Sequence, residues 1–506
     1  MRFASALIRP VNARLPLVLA SFTLLLHALG NPHYGFFRDE LYFIICGRHP
    51  AWGYVDQPPL TPLLAAASQM FGHSLFLLRL VAALCAAATV YVTCLFVAEI
   101  GGGAFAAVLA SICVTFAPVL CAFGMKVGPD MLEMPLWPLA ALFVLRVVKG
   151  GDDRWWLAAG VAIGIAFESK YSVAYFAVAL LLGLLFTRQR AAMATKWFWL
   201  GLLTAAVIAA PNVLWQSHYG FPMLELLRNG QMGKNVILSP SQYLGAQLLL
   251  LNPLLALPAV AGLILLLREP ALRWLGYGYA ILLVAMIASH GKDYYPAAVY
   301  SYIFAAGGCA IERWTSGRRA LRPVVAAFAV LAGMLSLPRV LPILPVPSYI
   351  AYQKFIHLAP GSQEHHRMRQ LPQDYADMMG WTQMADVVAS VYRSLPNMDR
   401  RRAAIFADNY GEASAIEFFG APYALPPVLS GHNQYFLWGP QGFDGSVLVK
   451  VGGDAAQLRT VFGSVQMVAF VHNPMGMAYE DQLPVFVCRH PRAPLSAFWP
   501  KVKNYI

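Results

Sequence analysis

The segment from Phe37 to Pro62 reads FRDELYFIICGRHPAWGYVDQPPLTP and lies directly after the first long apolar run of the chain. It gathers charged and polar residues into a short stretch that ends in paired prolines, Pro58 and Pro59. Proline fixes its own backbone and disfavours helix in the residue before it, so this pair predicts an extended lead into the next segment. Because apolar runs flank the segment on both sides, it predicts a loop at a membrane surface.

The composition of the whole chain predicts an integral membrane protein. Hydrophobic residues make up 58% of the 506 positions and charged residues only 12%, whereas soluble domains carry about 25% charged residues. Several of the apolar runs are shorter than the roughly 20 residues that cross a bilayer upright. The eleven runs cover residues 15–29, 76–98, 104–121, 132–148, 155–168, 172–186, 197–215, 242–267, 274–289, 296–311 and 323–343.

The positive charge of the chain predicts its orientation. The formal charge of +12 is spread over short loops, so nucleic-acid binding is not expected. Such loops face the cytoplasm by the positive-inside rule, as does the N-terminus if it is an uncleaved signal anchor; a cleaved signal peptide is the alternative. The basic loops are KGGDDR (149–154), TRQRAAMATK (187–196), REPALR (268–273) and ERWTSGRRALR (312–322).

This orientation places the other charged clusters, and the C-terminal part of the chain, on the outer side. The C-terminal part contains the short β-like runs AAIFAD, VLVKV, VQMVAFV and LPVFVC, which predict a small α/β domain. We therefore expect a mainly α, polytopic membrane domain over residues 1–343 and a soluble α/β domain over residues 344–506.

Ionisable residues collect on the predicted outer side, and near a membrane such groups are costly unless they have a function. Carboxylates can deprotonate an acceptor, lysines can neutralise a leaving phosphate, and aromatic rings can stack on a sugar. The combination predicts glycosyl transfer from a lipid phosphate. The candidate site residues are Asp39, Glu40, Tyr54, Asp56, Gln57, Lys126, Asp130, Lys170, Lys292, Asp293, Tyr294 and Tyr295.

Structural alternatives remain for these residues. Asp39 and Glu40 could be first-turn carboxylates that complement a helix dipole, and Lys170 could form a structural ion pair with Glu168. The charges within residues 289–296 could be interfacial snorkelling side chains. At the level of function, two alternatives remain. One is a transporter or flippase of lipid-linked sugars, for which inverted repeats are expected that the sequence does not display. The other is a catalytically silent relative whose C-terminal part recognises a surface glycan.

The cysteines and histidines predict no metal centre. The seven cysteines are scattered without CxxC spacing, which leaves a disulfide between Cys46 and Cys488 as an alternative only. A divalent ion near Asp56 and other carboxylates also stays open, since the spacing sets no ligand count. No soluble cofactor is expected.

Five stretches of the predicted membrane domain resemble one known family. They are RDELYF (38–43), GYVDQPPLTP (53–62), GPDMLEMP (128–135), FESKYS (167–172) and HGKDYYPAAVY (290–300). They resemble polytopic glycosyltransferases of the dolichyl-phosphate-mannose protein mannosyltransferase type, which include the bacterial lipid A aminoarabinose transferases (glycosyltransferase families 39 and 83). In the tail, ADNYGEASAIEFFG (407–420) and LSGHNQYFLWGP (429–440) resemble the soluble domain that many bacterial members append.

The resemblance implies a GT-C fold of about eleven transmembrane helices and an inverting reaction. The implied donor is a polyprenyl-phosphate-linked sugar, and the implied acceptor is lipid A, core oligosaccharide, another glycan, a lipid or a protein. The implied location is a bacterial inner membrane, with the N-terminus cytoplasmic and the C-terminal domain periplasmic.

The resemblance also implies roles for individual residues. Asp39 matches the family's general base, with Glu40 as its partner, and Asp130 matches the second acidic residue. Asp56 matches the acidic residue before PPL, but Gln57 stands where the aminoarabinose branch has a phosphate-binding lysine. Another cation must then hold the donor phosphate, and the expected order is Lys170, Lys292, Lys126.

Overall fold

The computed structural model describes residues 13–357, 359–361, 364 and 367–506, so the basic start of the predicted signal anchor, residues 1–12, lies outside the described residues. The α-helices are α1 Leu15–Gly30, α2 Arg38–Arg48, α3 Leu60–Ser68, α4 Leu75–Glu99, α5 Ala104–Phe116, α6 Pro118–Met125, α7 Asp130–Val148, α8 Trp155–Phe167, α9 Val173–Leu185, α10 Lys196–His218, α11 Pro222–Asn229, α12 Pro240–Leu251, α13 Ala256–Arg268, α14 Arg273–Ala288, α15 Tyr300–Trp314, α16 Leu321–Ser336, α17 Val346–Phe355, α18 Gln373–Ala376, α19 Trp381–Ser394, α20 Asn397–Arg400, α21 Tyr410–Gly420, α22 Gln434–Trp438, α23 Ala455–Val461 and α24 Leu495–Phe498. The β-strands are β1 Ala403–Phe406, β2 Val428–Leu429, β3 Val447–Val451, β4 Phe462–Val471 and β5 Leu483–Pro491.

The predicted apolar runs are helical, and the protein is mainly α as expected. Within the described residues, 4 helices are long and apolar enough to cross a membrane, or up to 6 if each bent pair counts as one span. The bent pairs are α5 with α6, at 65°, and α12 with α13, at 114°. Pro118 opens α6 directly after the first break, because proline cannot continue the preceding helix. The other apolar helices are shorter, so each of the eleven predicted runs contains helix, but fewer than eleven full-length spans are present among the described residues.

The chain divides into two compact units. The first unit comprises the chain up to His33, Phe76–Leu214 and Ile237–Leu344. The second unit comprises Tyr34–Leu75, Trp215–Val236 and Pro345–Ile506. The segment that contains Asp39 and Glu40 is therefore grouped with the C-terminal part of the chain.

Helices of the first unit pack at small residues. A Cβ atom added to Gly262 of α13 would lie 2.0 Å from the carbonyl oxygen of Ile303 on α15, and one added to Gly307 would lie 2.1 Å from that of Pro258. Glycine at both positions lets the two backbones approach closely, as is common between membrane helices.

The second unit is built on a five-stranded sheet of order β2-β1-β3-β5-β4. β1 is parallel to β2 and β3, whereas β5 is antiparallel to β3 and β4. All four predicted β-like runs form strands of this sheet, which confirms the small α/β fold. One face packs around Phe406, Phe486 and Trp499, and α2 and α21 pack against each other elsewhere in this unit.

The cysteines are all buried free thiols. Cys46 lies on α2, and Cys488 lies on β5 opposite Leu448 of β3. The Cys46–Cys488 disulfide that the sequence left open is therefore not formed.

Candidate functional site

Asp39 lies in the first turn of α2 with one side-chain oxygen held and the other free. The Tyr410 hydroxyl donates to Oδ1 at 2.8 Å, and Nε of Arg38 lies 3.4 Å from the same oxygen. Within the described residues Oδ2 has no hydrogen-bond partner, and the side chain is 32% exposed. An oriented carboxylate with one accessible oxygen is the geometry that a general base requires.

Glu40 has a different environment from its neighbour. Its side chain is fully buried, and its carboxylate accepts a hydrogen bond from the backbone N–H of Phe37 at 2.8 Å. This bond satisfies one of the free N–H groups at the start of α2. Glu40 therefore stabilises the turn that presents Asp39.

Asp56 lies in the same unit and accepts two hydrogen bonds. The Tyr42 hydroxyl donates to it at 2.9 Å, and the Asn433 side-chain amide donates at 3.3 Å. Burial raises the pKa of Asp56 to about 6, and the negative charge of Asp39 adds to the increase. The two carboxylates therefore lie close enough to influence each other.

Hydrogen bonds made by its own backbone groups fix the loop around Asp56. The N–H of Tyr54 donates to the carbonyl of Gln57 at 2.9 Å, and Gln216 donates to the carbonyl of Tyr54 at 2.9 Å. The N–H of Val55 donates to the Gln434 side chain at 3.1 Å. These bonds join three separate segments of the second unit around one loop.

Tyr54 and Gln57 are buried at this loop. The Tyr54 side chain is fully buried and its hydroxyl donates to the carbonyl of Cys46 at 2.8 Å, so it supports the loop and does not present a ring for a sugar to stack on. Gln57 is 2% exposed, and its amide has no hydrogen-bond partner among the described residues. A buried amide without a partner is costly, which marks the Asp56–Gln57 pair as a place where a polar ligand would be stabilised.

A cavity of about 240 Å³ lies beside Tyr410. Lys234 lines it and pairs with Glu364 at 3.4 Å. His432 accepts from the Tyr410 N–H at 3.4 Å, and burial lowers its pKa to about 3, so its imidazole is neutral. The lining residues are Arg38, Gly233, Lys234, Glu364, Asn409, Tyr410, His432, Tyr479 and Ile506.

The first unit contains a separate charged cluster around Lys170. Its ammonium group pairs with Asp130 and lies 4.2 Å from the ring centroid of Tyr295 and 5.2 Å from that of Tyr294. Lys170 therefore forms an ion pair with Asp130, and the pair with Glu168 that the sequence suggested is not formed.

Lys126, Lys292 and Asp293 belong to the first unit as well. The Tyr243 hydroxyl donates to the carbonyl of Lys292 at 3.0 Å, and Gln247 donates to the carbonyl of Asp293 at 2.9 Å. The Lys292 ammonium group lies 5.9 Å from the Tyr294 ring centroid. Lys126 follows α6 in an extended conformation and is partly exposed.

The predicted site residues thus fall into two groups. Asp39, Glu40, Tyr54, Asp56 and Gln57 meet in the second unit, and the other seven belong to the first unit. Sequence reasoning missed the residues that complete the second-unit cluster: Arg38, Lys234, Tyr410, His432 and Asn433. The only signal for the last three was their place in the two tail motifs quoted above.

No metal site supports the divalent-ion alternative. Across the described ranges, no group of three or more His, Cys, Asp or Glu side chains could hold a metal ion. No catalytic step is therefore assigned to a metal ion.

The raised pKa of Asp56 predicts a pH-dependent stability. Between pH 3.8 and about 6 the folded protein binds a proton that the unfolded chain has released. The contribution of Asp56 to stability is therefore fully present below pH 3.8 and lost as pH rises through about 6. Tyr42 and Cys46 face this carboxyl but keep raised pKa values through burial, so they do not titrate in this window.

We expect Asp56→Asn to gain thermal stability relative to the parent as pH rises from 4 to 7. Thermal unfolding of both proteins across this range measures the difference. If the difference in melting temperature between the two proteins stays the same at every pH, that result would contradict the burial of the Asp56 carboxylate.

Comparison with known proteins gives the same fold. Residues 56–215 match the sequence model of the family described as dolichyl-phosphate-mannose-protein mannosyltransferase, which confirms the predicted resemblance over that segment. No curated protein matches the chain. The matched segment contains Asp56, Asp130 and Lys170 but not Asp39.

Solved structures match nearly the whole chain. ArnT from Cupriavidus metallidurans in the apo state aligns with a TM-score of 0.61 at 14% identity, over 93% of this chain and 97% of that chain. ArnT bound to undecaprenyl phosphate aligns at 0.59 and 14% identity, over 94% and 98%. The arabinofuranosyltransferase AftD from Mycobacteria aligns at 0.53 and 12% identity, over 96% of this chain and 40% of that chain. These similarities confirm the GT-C fold of an integral membrane protein.

Proposed function

We propose that this protein is an integral-membrane glycosyltransferase that moves a sugar from a polyprenyl-phosphate donor to a cell-envelope acceptor. The observation that carries the proposal is the geometry of Asp39, whose Oδ1 is held by Tyr410 while Oδ2 stays free. The fold shared with ArnT supports a lipid-linked donor, because one of the ArnT structures contains undecaprenyl phosphate.

In the proposed reaction Asp39 takes the proton of an acceptor hydroxyl or amine. The acceptor atom then attacks the anomeric carbon, the bond from that carbon to the phosphate oxygen breaks, and its electrons leave with the polyprenyl phosphate. Attack opposite the leaving phosphate inverts the anomeric centre. Asp56 and Gln57 lie in the same unit as Asp39 and supply polar contacts to the substrates.

The proposed location is a bacterial inner membrane, with the second unit on the periplasmic side. The basic loops of the first two thirds of the chain support this orientation. The labelled product of the transfer experiment identifies the sugar as a hexose or a pentose and the acceptor as a glycan, a lipid or a protein.

The cation proposed to hold the donor phosphate is Lys234. Lys234 lines the cavity beside Tyr410 and has one carboxylate partner, Glu364, at 3.4 Å. Lys170, which ranked first by sequence, is already neutralised by Asp130 and covered by two tyrosine rings. A cation with a single, replaceable partner is better suited to accept a phosphate than one enclosed by several.

We expect Lys234→Met to raise the KM for the lipid-linked donor about tenfold, with a smaller effect on kcat, as for the loss of one charge-assisted hydrogen bond. Steady-state transfer at varied donor concentration measures both constants. Lys503→Met is the matched control, because Lys503 also pairs with one glutamate, Glu225 at 2.6 Å, but does not line the cavity. An unchanged donor KM in Lys234→Met would remove Lys234 from the phosphate site.

The proposed function can be tested directly with polyprenyl-phosphate sugars from bacterial membranes, radiolabelled in the sugar. Purified protein in detergent or nanodiscs is expected to move label to an acceptor fraction that is stable to mild acid. If the protein instead moves labelled donor across a proteoliposome membrane without transfer, the flippase alternative is favoured.

A further inference from the structure

A second cavity, of about 270 Å³, lies in the second unit near the end of α21 and the turn after α22. One wall is made by small residues and prolines of the segment 420–427. The other side presents Trp438 and three polar side chains, His49, Glu417 and Gln441. These residues have no role in the reaction described above.

The polar groups of this cavity have unused hydrogen-bonding capacity. Oε2 of Glu417 accepts a hydrogen bond from the Tyr435 hydroxyl at 3.1 Å, whereas Oε1 has no hydrogen-bond partner among the described residues. The described residues also provide no hydrogen-bond partner for the His49 ring nitrogens, the Trp438 indole N–H or the Gln441 amide. Four side chains therefore offer free donors and acceptors to one space.

The Trp438 ring is held in a fixed orientation. Its centroid lies 4.8 Å from that of Tyr435 in an edge-on contact, and 4.8 Å from that of His49. A fixed indole ring gives an apolar wall with a polar edge. This combination suits a ligand that has one apolar face and a rim of hydroxyl groups.

A neutral sugar ring fits that description better than the other ligands of the proposed reaction. A phosphate would be repelled by the Glu417 carboxylate, and an aliphatic lipid chain would leave the four polar groups unpaired at a cost in free energy. A volume of about 270 Å³ is also just below the usual range of about 300–1,000 Å³ for ligand pockets, which suits one sugar residue and not a large lipid headgroup.

The cavity is connected to the carboxylate cluster through two tyrosines. The Tyr435 hydroxyl donates to Glu417. The Tyr435 ring is stacked on that of Tyr42, with 6.4 Å between the two ring centroids. Tyr42 in turn donates to Asp56. A sugar in the cavity would therefore lie two side chains away from Asp56.

We propose that the cavity bounded by Glu417, Trp438 and Gln441 binds a neutral sugar residue of the acceptor glycan. The proposal rests on the proposed glycosyltransferase function and narrows its acceptor to a molecule that carries a glycan. Glu417 accepts a hydrogen bond from a sugar hydroxyl, the Gln441 amide donates to or accepts from another, and Trp438 packs against the apolar face of the ring.

The test is direct binding of methyl glycosides to the full-length protein in detergent micelles. The probes are the methyl glycosides of glucose, galactose, mannose and N-acetylglucosamine, observed by saturation-transfer NMR and titrated. At least one is expected to bind the parent, and Glu417→Gln and Trp438→Leu are each expected to weaken that probe about tenfold, which corresponds to about 1.4 kcal/mol. Binding of none of the four to the parent would overturn the proposal.

Two further variants keep the result interpretable if Trp438→Leu folds poorly. Gln441 has a positive φ of 49°, which asparagine tolerates, so Gln441→Asn shortens the side chain without backbone strain and should also weaken binding. Trp314→Leu is the control, because Trp314 is 65% exposed in the first unit, and it should bind as the parent does. Equal binding by the parent, Glu417→Gln and Gln441→Asn would overturn the proposal.

Asp39→Asn separates this inference from the proposed function. It should bind the glycoside as the parent does, because Asp39 does not line the cavity. If the parent binds the glycoside but transfers no sugar from any donor, the proposed function fails and the sugar site stands. If the parent transfers sugar and the cavity variants do so with an unchanged acceptor KM, the site fails and the function stands.

Discussion

Asp39→Asn is expected to lower sugar transfer by a factor of about 10²–10⁴, the usual contribution of a general base. Asparagine keeps the size of the side chain and can still accept the Tyr410 hydrogen bond at Oδ1. It cannot take a proton from the acceptor, so the chemical step slows while the fold is preserved. Transfer of radiolabelled sugar from the polyprenyl-phosphate pool, in matched amounts of folded protein, measures the loss.

Asp386→Asn is a matched control for this substitution. Asp386 also accepts a hydrogen bond from a tyrosine, Tyr423 at 2.5 Å, and it lies in the same unit without lining either cavity. Its replacement should leave transfer within a factor of about two of the parent. If Asp39→Asn transfers as well as Asp386→Asn does, Asp39 is structural and the base must be sought elsewhere.

Much of the fold could be predicted because it follows from short-range patterns. The run 132–148 forms most of α7, and the run VLVKV forms β3 residue for residue. Both could be predicted because the length of an apolar run and its content of β-branched residues are local properties of the sequence. The length of each helix is harder to predict from the local apolar pattern. Pro118 ends one apolar run early and produces a 65° bend, so a run of spanning length became two shorter helices.

The candidate site could be predicted only in part, because its members come together through contacts far apart in the chain. Asp39 is evident as an acidic residue beside an apolar run, but its partner Tyr410 lies 371 positions away. Asn433 lies 377 positions from Asp56. A single sequence contains no signal that pairs such residues, so Asp39 was predicted as a candidate base and the side chains that contact its carboxylate were not.

Lys170 is a different case, because its residue type predicts one role and its contacts favour another. A lysine near a membrane surface was expected to hold a phosphate, yet its ammonium group is paired with Asp130. The Ser172 hydroxyl, two positions further on, donates to Glu133 at 2.6 Å. The segment 169–172 therefore binds the start of α7, which indicates that it holds α7, α8 and α9 together.

Lys170→Met is accordingly expected to destabilise the protein by about 3–5 kcal/mol, the usual cost of removing one partner from a buried ion pair. The two side chains are only 16% and 18% exposed, so the Asp130 carboxylate left behind would lack both a counter-ion and full hydration. Unfolding in detergent, followed by heat or by denaturant, measures the loss.

Lys149→Met is the matched control for this prediction. Lys149 pairs with Glu99 at 2.8 Å, but its side chain is 42% exposed, and solvent-exposed pairs contribute about 0–1 kcal/mol. The control should therefore unfold close to the parent. A loss in Lys170→Met no larger than in Lys149→Met would contradict the burial of the Lys170–Asp130 pair.

The double variant Lys170→Met with Asp130→Asn separates a structural role from a phosphate-binding role. If the pair is structural, removing both charges leaves no uncompensated ion, and the double variant should regain much of the lost stability and, with it, transfer activity per folded molecule. If Lys170 binds the donor phosphate, the double variant should regain stability but stay as inactive as Lys170→Met. Because Asp130 already neutralises Lys170, we expect the first result, which would leave Lys234 as the cation of the donor site.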